Sequence, residues 1–138
     1  MPKFGKQSLK RLEGVHPDLV RVLTEAIKYM DFSVTYGHRT TEEQQTLYAQ
    51  GRTTRGPIVT KCDGLDKRSA HQGLPSRAVD IAPWPIDWED TQRFLYLAGH
   101  VMGIAAMMDI PLTWGGDFNK NYNLNDDRFD DLPHFELP

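Results

Sequence analysis

Helix-like and strand-like segments alternate along this chain without a regular pattern, and this mixture restricts the fold more than any other feature. The clearest helical pattern begins at Pro17, because apolar residues recur there at three- and four-residue intervals as far as Met30. Residues 32–36 follow with the β-branched and aromatic composition of a strand. Since no regular βαβ alternation is present, we expect an α+β fold with helices packed on a small, mostly antiparallel sheet.

The remaining elements are predicted from the same periodicities and from capping residues. The sequence predicts helices over residues 8–12, 17–30, 42–50 and 88–108, and strands over residues 32–36, 78–82, 112–114 and 134–137. Ser8 and either Thr40 or Thr41 are expected to cap the first and third helices. Segments 52–68 and 115–130 are polar and are expected to form loops.

The length of 138 residues suits one domain, residues 1–138, with a modest core. Trp88, Phe94 and Tyr96 lie in the longest predicted helix, and we expect them in that core. The single cysteine, Cys62, cannot form an internal disulfide, which favours a reducing compartment.

Charge and hydropathy exclude two classes of partner. The net charge is −3 and no block of Lys and Arg suggests a nucleic-acid surface, so no nucleic-acid partner is expected. The weakly polar stretch 95–110 is too short to span a bilayer, so no membrane insertion is expected. The basic N-terminus lacks a following apolar run and is not a signal peptide, so residence in the cytoplasm is expected.

Two short segments carry the residue types of a catalytic metal site. Ser69-Ala70-His71 runs on to Ala78-Val79-Asp80, and Asp131-Leu132-Pro133-His134 lies near the C-terminus. Two imidazoles and one carboxylate leave a fourth coordination position of zinc open for water, and a spare carboxylate can take the proton of that water. A structural zinc site usually draws on several thiolates, so the single cysteine favours a catalytic site.

Five motifs in order resemble the zinc peptidases that include D-alanyl-D-alanine carboxypeptidases and phage L-alanyl-D-glutamate endolysins. Besides the two segments above, the Gly37-His38-Arg39-Thr40 segment with Glu43-Gln44 is similar to the Gly-x-Arg-Ser/Thr element of that family. Ala78–Pro83 resembles its Ala-x-Asp-hydrophobic-x-Pro segment, and residues 114–118 resemble its Trp-Gly-Gly-Asp-aromatic segment. The resemblance covers residues 32–137 and implies the D-Ala-D-Ala peptidase fold, which the Hedgehog signalling domain shares.

The chain departs from the family pattern at two places. Eight residues lie between His71 and Asp80 where the family has six, and the surplus falls around residues 74–76. A longer turn is tolerable because extra loop residues cost little closure entropy. The carboxypeptidases typically present Glu-x-Trp-His, whereas Asp131-x-x-His134, with the chain ending soon afterwards, resembles the endolysin branch.

The resemblance implies that His71, Asp80 and His134 bind one Zn²⁺ and that Asp131 is the catalytic carboxylate. Asp130 is the alternative to Asp131, but its spacing from His134 fits the motif less well. Asp131 is expected to accept the proton of the attacking water and to return it to the leaving amine.

Four further residues are expected around this site. Arg39 is predicted to donate to the oxyanion or to the D-glutamate carboxylate of a stem peptide. Gln44 and Ser69 are predicted to bind substrate, with Ser69 alternatively holding the local backbone. Glu136 lies two residues beyond His134 on the same face of a strand, and it either orients that ligand or is solvated.

The sequence therefore predicts a monomeric, zinc-dependent peptidoglycan peptidase, a phage endolysin that cleaves the L-alanyl-D-glutamate bond of stem peptides. It would wait in the host cytoplasm and act on the cell wall after the membrane is permeabilised. The alternatives are a D-alanyl-D-alanine carboxypeptidase and a non-catalytic metal-binding cell-wall module.

A second, weaker metal site is conceivable in the Asp117–Asp130 loop. Residues 117–121 imitate the Asp-x-Asn-x-Asn start of a calcium loop, and more acidic residues follow. The sixth and twelfth positions are Tyr122 and Arg128 where such a loop has Gly and Glu. The alternative to weak Ca²⁺ binding is a solvated acidic loop.

Overall fold

The computed structural model describes residues 1–123 and 131–138, and this part of the chain forms helices packed on one four-stranded sheet. The helices are α1 (Lys6–Leu12), α2 (Pro17–Ala26), α3 (Thr41–Ala49) and α4 (Thr91–Met107), and the strands are β1 (Phe32–Tyr36), β2 (Ala78–Pro83), β3 (Thr113–Trp114) and β4 (His134–Glu136). The strand order is β1-β2-β4-β3, and every neighbouring pair is antiparallel. The predicted α+β class and the antiparallel sheet are confirmed.

The core lies between the sheet and the pair of helices α2 and α4. Leu19, Val22 and Leu23 present one apolar face of α2 to this core, and each stabilises the fold by about 1.5–3 kcal/mol relative to an exposed position. Strand β2 is buried along its length except at Asp80, which keeps some exposure. A carboxylate inside an otherwise apolar central strand needs hydrogen-bonding or charged partners. Asp80 therefore indicates a candidate functional site on the sheet.

Three predicted helix boundaries differ from the structure by two residues or more. Helix α2 ends at Ala26, and Ile27 continues the apolar pattern as a buried residue of the following turn. Helix α1 begins at Lys6, and the buried Ser8 hydroxyl accepts the Val34 N–H at 3.0 Å, so Ser8 ties α1 to β1 and does not cap. Helix α4 begins at Thr91 because the side chain of the preceding residue, Asp90, accepts the Arg93 N–H. The capping prediction for Thr40 is confirmed by a complete capping box.

The prediction of three core aromatics holds for Phe94 alone. Trp88 is 57% exposed because it precedes α4, where its ring stacks on that of Phe94 at 5.6 Å. Tyr96 is 76% exposed, since a position two residues after Phe94 lies about 200° around the helix from it.

The longer turn between His71 and Asp80 is anchored to the loop that joins α1 and α2. The Ser76 N–H donates to the Gly14 carbonyl at 2.7 Å, and the His16 N–H donates to the Ser76 carbonyl at 2.9 Å. Ser76 is itself buried. The longer turn is therefore fixed to the loop between the first two helices.

Candidate metal centre

Strand pairing brings together three residues that are far apart in the sequence. Asp80 in β2 lies opposite His134 in β4, and His71 lies in the loop that leads into β2. One potential ligand atom from each residue lies within 4.8 Å of the other two, and no ion is part of the structure. Among the described residues this is the single group of three or more His, Cys, Asp or Glu side chains with such geometry.

Each imidazole has one nitrogen directed at Asp80 and the other held by an acceptor. The Asp80 Oδ1 atom lies 3.3 Å from His71 Nε2 and 3.1 Å from His134 Nδ1. His71 Nδ1 lies 2.8 Å from the Gly37 carbonyl oxygen, and His134 Nε2 lies 3.0 Å from Glu136 Oε1. Because these oxygens can only accept, the two held nitrogens carry protons, and the other two nitrogens face Asp80 and can bind a metal once they are free of protons.

The electrostatics of the cluster follow from burial and close pairing. Burial opposes ionisation of Asp80, but hydrogen bonds from His134 and His71 outweigh it and hold the pKa of Asp80 below its ordinary range. Burial also disfavours the charged form of His134, yet hydrogen bonds to Asp80 and Glu136 raise its pKa to about 10. Without a metal, His134 therefore holds a proton at neutral pH that a bound cation must displace.

Asp131 lies beside the cluster, at the end of the segment that leads into β4. Its Oδ2 atom is 3.9 Å from His134 Nδ1. Its backbone is fixed by a bond from Asp131 N–H to the Gly115 carbonyl at 2.8 Å and by a bond from His134 N–H to the Asp131 carbonyl at 3.0 Å. A Cβ at Gly115 would overlap the Asp131 carbonyl oxygen, so only glycine admits this approach. Burial, and then the charge of Asp80, raise the pKa of Asp131.

Arg39 forms the wall of the site next to Asp80. Only 7% of the residue is exposed, and its guanidinium lies 4.6 Å from the centre of the Tyr36 ring. Nη1 donates to Gln44 Oε1 at 2.8 Å, and Nη2 lies 4.0 Å from Asp80 Oδ2. Nε finds no hydrogen-bond partner among the described residues. Because Nε is buried, a ligand in the cleft would meet the guanidinium through Nη2, whose one close contact among the described residues is the 4.0 Å approach to Asp80.

Gln44, predicted to bind substrate, has its side chain inside the protein and not on the surface of the cleft. It is fully buried, and its amide nitrogen donates to the Thr60 hydroxyl at 3.1 Å and to the Cys62 carbonyl at 2.8 Å. With its oxygen engaged by Arg39, both ends of the amide are used inside the protein. Burial argues against direct contact with a substrate, and Gln44 instead joins Arg39 to the loop at residues 60–62.

Ser69 is half-buried, and its hydroxyl accepts the His71 N–H at 3.2 Å. This contact corresponds to the backbone-holding role that the sequence left open.

These side chains line one wall of a cleft of about 560 Å³. Of the predicted site residues, the cleft contains Arg39, Ser69, His71, Asp80, Asp131, His134 and Glu136, and Gln44 lies behind it. Sequence reasoning missed two aromatic neighbours, Tyr36 and Phe118, the second of which lies with its ring 5.9 Å from that of His134. Phe118 is the last residue of the Trp-Gly-Gly-Asp-aromatic motif, so that motif could have indicated it. A cavity of about 620 Å³ against α4 contains none of the residues predicted to bind zinc or substrate.

In the described part of the predicted calcium loop, some side-chain oxygens accept backbone N–H groups of the loop, whereas Asp117 Oδ1 is buried with no hydrogen-bond partner among the described residues. Asp117 accepts the Tyr122 N–H at 3.1 Å, and Asn121 accepts the Asn123 N–H at 2.8 Å. The other acidic residues of the prediction, among them Asp130, the alternative catalytic carboxylate, lie outside the described residues.

Comparison with known proteins connects this geometry to one enzyme family. The family model described as phage L-alanyl-D-glutamate peptidase matches residues 1–138. The L-alanyl-D-glutamate peptidase of Escherichia phage T5 is 28% identical over 130 residues, which span 91% of this chain and 88% of the relative. The peptidoglycan L-alanyl-D-glutamate endopeptidase CwlK of Bacillus subtilis is 32% identical over 120 residues, which span 81% of this chain and 64% of the relative. The crystal structure of the Serratia marcescens L-Ala D-Glu endopeptidase ChiX matches with a TM-score of 0.70 at 29% identity, over 99% of this chain and 90% of that one.

Proposed function

The chain belongs to the phage L-alanyl-D-glutamate peptidase family, and on that premise we propose that it hydrolyses the L-alanyl-D-glutamate bond of peptidoglycan stem peptides with one Zn²⁺ held by His71, Asp80 and His134. The observation that carries the proposal is the convergence of these three side chains in a cleft that also holds Asp131. The relatives named above are peptidases of the same bond, which supports the choice of substrate.

The donor set fits zinc. Two imidazole nitrogens and one carboxylate oxygen are the kind of ligands that catalytic zinc sites use, and three protein ligands leave a fourth position open. Hard cations such as Ca²⁺ and Mg²⁺ prefer oxygen ligands throughout, which this site does not offer. When bound, zinc supplies a Lewis acid and lowers the pKa of a bound water toward ~7.

The protein's own residues supply the proton transfer. Asp131 lies against the metal cluster with about a third of its side chain exposed, so it can reach both a ligand in the cleft and the solvent. As a carboxylate it accepts the proton of the attacking water and returns it to the amine that leaves. Rigid placement is part of this role, because the backbone on both sides of the Asp131 side chain is hydrogen-bonded to the sheet and to Gly115.

Arg39 is proposed to recognise the D-glutamate carboxylate next to the scissile bond. A guanidinium is permanently charged and donates in a planar fork, which suits a carboxylate. Its position on the cleft wall, beside the residues of the proposed metal site, supports this contact. Its distance of 4.0 Å to Asp80 means that it also stabilises the charge of that ligand.

We expect Arg39→Lys to raise KM by about 10- to 100-fold with a smaller effect on kcat, because a charge-assisted hydrogen bond contributes about 1.5–3 kcal/mol and serves ground and transition states alike. A fall in kcat at constant KM would assign Arg39 to the oxyanion instead. The matched control is Arg21→Lys, since Arg21 is exposed on α2 and pairs with Asp18 at 3.5 Å. If Arg39→Lys and Arg39→Ala both keep wild-type kinetics on a soluble stem peptide, the substrate contact is wrong.

The products of digestion test the function itself. Purified peptidoglycan should yield fragments with a new N-terminal D-glutamate in mass spectrometry, and the same digestion with Asp131→Ala should not. Release of free D-alanine would identify the carboxypeptidase alternative. Zinc binding with no product of either kind would identify a non-catalytic metal-binding module, a role for which a carboxylate beside the metal has no use.

The remaining proposals concern the setting of the activity. We propose that residues 1–138 act as one peptidase domain, which the family match over the whole range supports. We further propose that the protein acts as a monomer. No helix in the described ranges 1–123 and 131–138 has the length and apolar character needed to cross a membrane. The phage relative supports action on the cell wall. We propose that the protein reaches the wall from the host cytoplasm once the membrane has been permeabilised.

A further inference from the structure

His134 lies between two carboxylates, one on each ring nitrogen. Asp80 Oδ1 is 3.1 Å from Nδ1, and Glu136 Oε1 is 3.0 Å from Nε2. Asp80 belongs to the proposed metal site, whereas Glu136 is not part of the group whose ligand atoms converge there. The contact between Glu136 and His134 therefore needs its own explanation.

The position of Glu136 is set by the sheet. His134 and Glu136 are two residues apart in β4, so their side chains project from the same face. The backbone of Glu136 is paired on both sides, with Ala78 of β2 and Thr113 of β3. Its side chain is 30% exposed and lines the cleft. Because the backbone of Glu136 is fixed by pairing on both sides, the strand register itself places its carboxylate next to His134.

We propose that Glu136 is a positioning residue that holds His134 in the tautomer and orientation that present Nδ1 to the metal. A neutral imidazole has one N–H, and a carboxylate at Nε2 places that hydrogen there, which leaves the Nδ1 lone pair for the metal. The charge of the carboxylate also makes the imidazole a stronger ligand. The inference rests on the proposed zinc site and does not depend on which peptide is cut.

The second histidine provides the contrast. His71 Nδ1 is held by the carbonyl oxygen of Gly37 at 2.8 Å, so Nε2 is the nitrogen that faces the metal site. That acceptor is neutral and belongs to the backbone, whereas a charged acceptor forms a stronger bond. The two imidazoles therefore face the site through different nitrogens, and only the orientation of His134 depends on a side chain.

A direct ligand role for Glu136 does not fit the geometry. Its carboxylate lies against Nε2, while Asp80 and the metal cluster lie against Nδ1, on the other side of the ring. Asp131 cannot replace it, because Asp131 approaches Nδ1, at 3.9 Å.

The experiment measures zinc affinity by competition with a chromophoric chelator. Glu136→Ala should weaken zinc binding by about 10- to 100-fold, the usual cost of removing a carboxylate that orients a metal-binding histidine. Glu136→Gln should lose less, because its amide oxygen still accepts the Nε2 hydrogen without the charge. Glu89→Ala, an exposed glutamate ahead of α4, is the matched control and should bind zinc like the wild type.

Nitrogen NMR of the zinc-loaded protein separates positioning from general loss of structure. The wild type should show His134 protonated at Nε2 and bound through Nδ1, and Glu136→Ala should lose the protection of that hydrogen from exchange. Wild-type zinc affinity in Glu136→Ala would overturn the inference. So would weaker binding with an unchanged His134 signal and a lower unfolding midpoint of the metal-free protein, since that combination reports a structural defect. Failure of the peptidase proposal would appear in the digestion products and would leave these zinc measurements standing.

Discussion

Replacing His71, Asp80 or His134 by alanine should remove the bound zinc and lower the rate of stem-peptide hydrolysis by about 10⁴-fold or more. Each change removes one of three ligands, and two ligands hold the metal too weakly to keep it. The loss exceeds the 10²–10⁴-fold effect of a single acid–base group, because the site loses both its means of activating water and its Lewis acid. Elemental analysis of the purified variants and kinetics on a soluble stem peptide measure the two effects together.

The matched control for the histidine changes is His100→Ala. His100 lies on α4 with Nε2 2.9 Å from the Ala26 carbonyl, outside the cleft, so its loss should leave zinc content and rate unchanged. Chelation offers the same test without a substitution: activity should disappear with the metal and return when zinc is added back. Full activity in a sample shown by elemental analysis to be free of metal would refute the zinc mechanism.

Asp131→Ala should lower kcat by about 10²–10⁴-fold while zinc stays bound at wild-type affinity. The reason is that Asp131 lies 3.9 Å from His134 Nδ1 as a neighbour of the metal cluster and is not one of its three converging residues. A general base works only when ionised, so wild-type activity should fall as the pH drops through the pKa of Asp131. That acid limb should be absent from the residual rate of the variant.

Two comparisons make the Asp131 prediction specific. Asp131→Asn keeps the size of the side chain and should be nearly as slow as the alanine variant, which separates proton transfer from packing. Asp130→Ala should keep most of the activity, although Asp130 lies outside the described residues. If zinc is lost together with activity in Asp131→Ala, Asp131 is a metal ligand. If Asp131→Ala is as fast as the wild type while Asp130→Ala is slow, the base is Asp130.

Local patterns were sufficient for the elements but not for all of their ends. The apolar spacing of α2 and the β-branched run of β1 are properties of neighbouring residues, and both elements occur where the patterns placed them. The end of α2 was predicted too late because Ile27 is buried although it lies outside the helix. A buried apolar residue of the following turn extends the apolar spacing in the sequence just as a helical residue would. Trp88 was misplaced because the beginning of α4 depends on which of several possible residues caps it, and Asp90 does so.

The candidate site divides in the same way. His71, Asp80, Asp131 and His134 were recognised by residue type and spacing, and the structure brings them into one cleft. Gln44 belongs to the same motif as Arg39, yet the motif does not say which way its side chain points. Helix α3 turns it inward, where it holds Arg39 and the loop at residues 60–62.

The fold class, the family and the chemical inventory of the site could be predicted before folding was considered, because they depend on residue type, spacing and order along the chain. Which atoms face each other depends instead on how distant segments pack. The pairing of Asp80 with His134 across two strands joins residues separated by more than fifty positions, and the same register turns Glu136 toward His134 Nε2. A strand register and the acceptor of an imidazole N–H are both set by packing among distant segments. A local sequence pattern therefore cannot predict which nitrogen of a histidine is left to bind a metal.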